Sequence, residues 1–157
     1  MGRAYRLVRI ACLLAFTTVS ALADGRPALN RQGADFLAHL RMHSPQAAEL
    51  LDRAAAVLVF PDMVAMGFGE GGRYGEGSLW VGGEPRSYYV TAGGPDGPAA
   101  ELLVFLSDTA LADLNGGRSW RVLAEPPPED VVRLGWDNGR LQVGLPLAGS
   151  RFVRLER

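Results

Sequence analysis

An α+β fold is expected from three observations. Apolar residues just after Asp24 recur at helical spacing. From Ala56 onward that spacing gives way to short strand-like runs. Gly, Asn, Asp and Pro punctuate those runs at hairpin intervals. The expected architecture is an N-terminal helical hairpin followed by a curled, barrel-like, mostly antiparallel sheet of about seven short strands.

The first 23 residues read as a secretory leader. Arg3, Arg6 and Arg9 form a basic start, Ile10 to Val19 is a short apolar run, and Ala21-Leu22-Ala23 fits a small-x-small cleavage site. Cleavage after Ala23 predicts a periplasmic or secreted protein, with residues 24–157 as one domain. Cys12 is the only cysteine and lies inside the leader, so disulfides and cysteine chemistry drop out of the remaining chain. Losing three arginines takes the formal net charge from −1 to −4, which argues against a nucleic-acid partner.

Asn30 to His43 is the first expected helix, with Ala34, Leu37, Ala38 and Leu40 on one broad face. Ser44-Pro45 reads as an N-cap followed by proline at the first helical position, where its missing N–H costs nothing. Ala47, Leu50, Leu51 and Ala54 then keep helical spacing.

Val57 to Phe60 is a buried strand closed by Pro61. Eight glycines from Gly67 to Gly83 suggest sharply bent strands, because aromatic residues stand between them. Ser78 to Val81 and Ser87 to Thr91 flank the turn Gly82-Gly83-Glu84-Pro85. Leu102 to Leu106 is a continuous apolar strand. Ser107-Asp108 caps a short helix that stops at Asn115-Gly116-Gly117. Trp120 to Leu123 is a further strand, followed by the extended run Pro126-Pro127-Pro128. Val131 to Trp136 and Arg140 to Leu145 flank Asn138-Gly139, residues suited to a type I′ turn. Phe152 and Leu155 finish a terminal strand.

Several formal motifs lack the context their chemistry needs. Gly67 to Gly72 satisfies G-x-G-x-x-G, but more glycine follows instead of a helix whose N-terminus would meet a pyrophosphate. His39 and His43 share a helix face, yet no third histidine or metalloprotease glutamate accompanies them. Glu70 and Glu76 flank Arg73 and raise a carboxylate-pair hydrolase as a third reading. An ion pair between Arg73 and one of these glutamates is the simpler expectation. Ser78 has no nucleophile-elbow sequence around it. No cofactor and no metal are expected. Phe60, Met63, Met66, Phe68, Tyr74, Trp80, Tyr88, Tyr89 and Trp120 are expected to be mostly core. Met63 and Met66 would touch an apolar ligand if their segment were an exposed loop.

The chain from Asp24 resembles the SYLF domain family. The resemblance is carried by Ala54-Ala55-Ala56-Val57-Leu58-Val59-Phe60-Pro61, Gly67-Phe68 and Gly71-Gly72-Arg73-Tyr74-Gly75-Glu76-Gly77. Tyr88-Tyr89, Leu103 to Leu114, Ser119-Trp120 and Leu145 to Leu155 follow in order. Two segments depart from the family pattern. Gly93-Gly94-Pro95-Asp96-Gly97-Pro98 replaces a glycine- and glutamine-rich segment, and the section between Trp120 and Val131 is shortened. The resemblance implies a non-enzymatic protein that binds lipid or a membrane surface. Arg73 and Arg86 are then the candidate contacts for anionic headgroups, with Phe68 and Trp80 for the apolar part. An envelope protein-interaction module that has lost lipid binding is the alternative.

Overall fold

The computed structural model describes residues 25–66, 72–93, 97–122 and 129–156. The leader expectation, Phe68, Glu70, Pro95 and the triple proline lie outside the described residues. The elements run α1 (Arg26–His43), α2 (Pro45–Arg53), β1 (Ala56–Phe60), β2 (Met63–Met66), β3 (Gly72–Val81), β4 (Glu84–Gly93), β5 (Ala100–Phe105), α3 (Asp108–Asn115), β6 (Ser119–Arg121), β7 (Val131–Asp137), β8 (Arg140–Val143) and β9 (Arg151–Arg154).

Local chemistry sets many of these boundaries. Ser44 ends α1 with its extended backbone, whose N–H donates to the Leu40 carbonyl, and caps α2 with its side chain, whose Oγ accepts from the Ala47 amide at 3.1 Å. Ser107 Oγ does the same for α3 through the Ala110 amide, also at 3.1 Å. Asn138 and Gly139 both take positive φ, at 49° and 74°, and close the β7–β8 hairpin as their residue types require.

The strands form one antiparallel sheet in the order β6-β9-β4-β3-β1-β5-β7-β8, with β2 pairing β3 beside β1. The fold is therefore α+β, with nine strands among the described residues instead of about seven. The barrel expectation is corrected: β6 and β8 end the path and do not pair with each other. The sheet curls without closing. Trp120 on the β6 end stacks on Phe152 at 5.5 Å and reaches Phe105 of central β5 at 5.9 Å.

Each face of the sheet has its own core. The inner face carries Leu58, Phe60, Met63, Leu79, Leu103, Phe105 and Phe152, with Ala110 and Leu114 of α3 packed against them. The outer face carries Val57, Val59, Leu102, Val104 and Leu134 beneath Leu40, Ala47 and Leu51 of the helical hairpin. β1 and β5 contribute to both and are buried along their whole length, which explains their unbroken apolar sequence. Gly33 lets α1 approach the sheet: a Cβ there would stand 3.3 Å from Ser78 Oγ and from Trp80 Nε1.

Two sequence expectations change here. Met63–Met66 form strand β2, so the exposed loop on which ligand contact by Met63 and Met66 was made conditional is not there. This strand continues the line of β1 along the same edge of β3, and Pro61-Asp62 is the break between them. Met63 is buried in the inner core while Met66 is exposed. Tyr74 is likewise exposed instead of core.

Candidate functional site

α1 and α2 cover the outer face only over the middle of the sheet. The region beyond, made by β2, the first half of β3, the second half of β4, and β9, has no helix over it among the described residues. Strand alternation decides what this region shows. On β3 the odd positions face inward, where Leu79 joins the inner core, and Tyr74, Glu76, Ser78 and Trp80 face outward. Outward neighbours follow from the register: Val64 and Met66 on β2, Val90 and Ala92 on β4, and Val153 on β9.

The result is an apolar band across four strands. Val64 is 56% exposed, Met66 42% and Tyr74 37%, values far from those of core residues. Val64 lies opposite Tyr74, and Tyr74 opposite Ala92. Val90 lies opposite Val153. A hollow of about 230 Å³ is walled by Tyr74, Val90, Ala92, Arg151 and Val153.

The N-terminus of α1 frames the other side. Asn30 Nδ2 donates to Tyr88 Oη at 3.0 Å, and the Arg26 guanidinium sits 4.6 Å from the Tyr88 ring centroid. These contacts fix α1 against β4 and leave a trench of about 250 Å³ between Ala28, Leu29, Gln32, Val64, Tyr74 and Glu76. A second trench of about 230 Å³ runs between Leu29, Glu76, Tyr88 and Leu155. Tyr74 Oη donates to Glu76 Oε1 at 2.9 Å. Burial, and then the neighbouring Glu76, push the Tyr74 phenol above its usual range, so the ring stays neutral at physiological pH.

The residues expected from the sequence do not gather here. Arg73 faces inward, half-buried, and its Nη2 donates to the Met63 carbonyl at 2.9 Å. Arg73 and Glu76 do not pair, because residues three apart on a strand point to opposite faces, and a pair of Arg73 with Glu70 lies outside the described residues. Glu76 is instead the acceptor for Tyr74. Trp80 lies seven residues along β3 from Arg73, a separation of about 23 Å at strand rise. It is half-buried in the outer core and donates from Nε1 to Ser78 Oγ at 2.8 Å. Arg86 is exposed on β4 close to the bulge at Leu79/Trp80, at that same far end. Phe68 lies outside the described residues.

His39 and His43 stack at 4.1 Å. His43 Nδ1 donates to the His39 carbonyl, and the His39 ring meets Trp136 edge-on at 5.0 Å. Among the described residues no cluster of acids and histidines has metal-binding geometry. Nor, among them, is any helix long and apolar enough to cross a membrane.

Sequence reasoning missed the outward band. Its members alternate with buried residues, so each strand looks like ordinary core when read alone. The available signal was Val64-Ala65-Met66, an apolar stretch following a proline. No protein-family model matches this chain, and no curated protein does.

Proposed function

We propose that this chain is a non-enzymatic domain, acting outside the cytoplasm after leader removal, that binds lipid or a membrane surface. The observation that carries this reading is the apolar band of Val64, Met66, Tyr74, Val90, Ala92 and Val153 on the outer face, over which no helix lies among the described residues. Exposed apolar surface collected on one face costs free energy in water and gains it against an acyl layer. The resemblance of Ala54 to Pro61 and Gly71 to Gly77 to SYLF domains supports the same class of ligand. The arginines facing that band replace Arg73 and Arg86 as headgroup contacts.

Flotation with vesicles tests it. The chain from Asp24 is expected to float with phosphatidylcholine vesicles containing anionic lipid at low salt. Val64→Asp/Met66→Asp removes apolar contact at two exposed positions and is expected to lower the bound fraction about tenfold. Absence of the unsubstituted chain from every floated fraction, neutral or anionic, would sink the reading.

The alternative, an envelope protein-interaction module, draws on a different feature. The outer edge of β8 is unpaired among the described residues and carries Val143, 42% exposed. A stoichiometric protein partner together with no vesicle binding would select it.

A further inference from the structure

One register row crosses five strands of the outer face: Val64 on β2, Tyr74 on β3, Ala92 on β4, Arg151 on β9 and Arg121 on β6. It starts apolar and ends cationic. Strand spacing makes it about 19 Å long, with about 10 Å of that from Ala92 to Val64.

The cationic end is unusual in itself. Arg121 and Arg151 are direct cross-strand partners, a placement that brings two like charges within side-chain reach and is destabilising when uncompensated. Both are exposed, and no carboxylate among the described residues lies within 4.0 Å of either guanidinium. The nearby Arg118, by contrast, is paired with Glu156 at 2.9 Å. Arg151 is also held in place: its Nε donates to Ser119 Oγ at 3.0 Å, on the same face. Arg151 walls the apolar hollow as well, so charge and apolar surface meet at one residue.

We propose that Arg121 and Arg151 bind the phosphate-monoester headgroup of a lipid whose acyl chain lies along Ala92, Tyr74 and Val64. This inference rests on the lipid-binding reading and names its ligand class. Two adjacent guanidiniums match a dianion, since each offers a planar fork of donors to tetrahedral phosphate oxygens. A phosphodiester carries one charge and offsets only one of the pair. The ligand therefore relieves the like-charge contact while its tail covers the band.

The test uses the chain from Asp24 with vesicles of phosphatidylcholine alone, with phosphatidylglycerol, and with phosphatidic acid, the last two at matched surface charge. A parallel arm follows melting with inorganic phosphate against chloride at equal ionic strength. We expect flotation to favour phosphatidic acid over phosphatidylglycerol about tenfold, the ratio falling to near one in Arg121→Gln and only partly in Arg121→Lys. Arg121 is exposed, so a melting temperature of Arg121→Gln at or above the unsubstituted chain confirms folding. Equal flotation with both anionic lipids, or an unchanged ratio in Arg121→Gln, overturns the headgroup site and leaves the lipid reading standing. Binding to no vesicle, with a phosphate-induced rise in melting temperature that Arg121→Gln abolishes, assigns the pair to free phosphate and overturns the lipid source. Binding to no vesicle and no phosphate response overturn both.

Discussion

Gly77→Ala is expected to destabilise this protein by about 3 kcal/mol or more, at or beyond the upper end for overpacked cores. A Cβ at Gly77 would stand 2.6 Å from Phe60 Cδ1 and Cε1 and 2.6 Å from the Val59 carbonyl oxygen. Phe60 has no exposed surface and packs on Phe152 at 5.8 Å, so its ring has nowhere to go. The Val59 oxygen belongs to the β1 backbone, where Val59 pairs with Ser78. Relief therefore requires central strands to separate. Gly75→Ala supplies the internal comparison. Its Cβ would meet chiefly the Met63 sulfur, and a thioether can rotate aside, so about 1–2 kcal/mol is expected there. Urea unfolding of the two variants measures the difference. Equal midpoints would show that β1 and β3 are not as close as described.

Arg133→Leu is expected to cost about 3–5 kcal/mol, a large part of the stability of a domain this size. Glu101 is 1% exposed on the inner face of β5, opposite Phe60 of β1 and Gly135 of β7. Its Oε2 accepts from Arg133 Nε at 3.2 Å and from Nη2, while Oε1 has no partner among the described residues. Arg133 also donates from Nη1 to the Pro146 carbonyl at 2.6 Å, tying the chain after β8 to the sheet. Removing the arginine strands a buried carboxylate, and that desolvation penalty dominates the loss. Glu101→Leu/Arg133→Leu removes both charges and is expected to recover most of it. A double variant no more stable than Arg133→Leu alone would place the cost in lost packing instead of the orphaned charge.

The parts of this fold legible in the sequence are those written in local chemistry. Ser44-Pro45 announced the α1–α2 junction, Ser107-Asp108 the start of α3, and Asn138-Gly139 the last hairpin. Val57 to Phe60 read as a fully buried strand because both of its faces are covered, as the structure shows. β2 was hidden because Pro61 ends one strand and Met63 begins another within the same apolar stretch. The open sheet was hidden because glycines report bending, and closure depends on whether β6 and β8 meet.

The candidate site was the least legible part. Arg73 and Trp80 were expected to share a ligand, but strand alternation turns Arg73 inward and places Trp80 beneath α1. Arg121 and Arg151 become neighbours only because β9 pairs with β4 on one side and β6 on the other. That register is a long-range fact that no local spacing encodes. The outward band has the same origin, since Val64, Tyr74 and Ala92 each come from a different strand.

The chain from Asp24 has no cysteine, so a single engineered thiol reports one position. An environment-sensitive fluorophore on Val64→Cys is compared with the same label on Val143→Cys, at the opposite end of the sheet. The label at position 64 is expected to shift to the blue on addition of phosphatidic acid vesicles, and the label at 143 to stay unchanged. Val143 lies opposite Leu134 and so shares the outer face, and binding with no shift at 64, or with an equal shift at 143, would contradict membrane contact confined to the band of Val64, Tyr74 and Ala92.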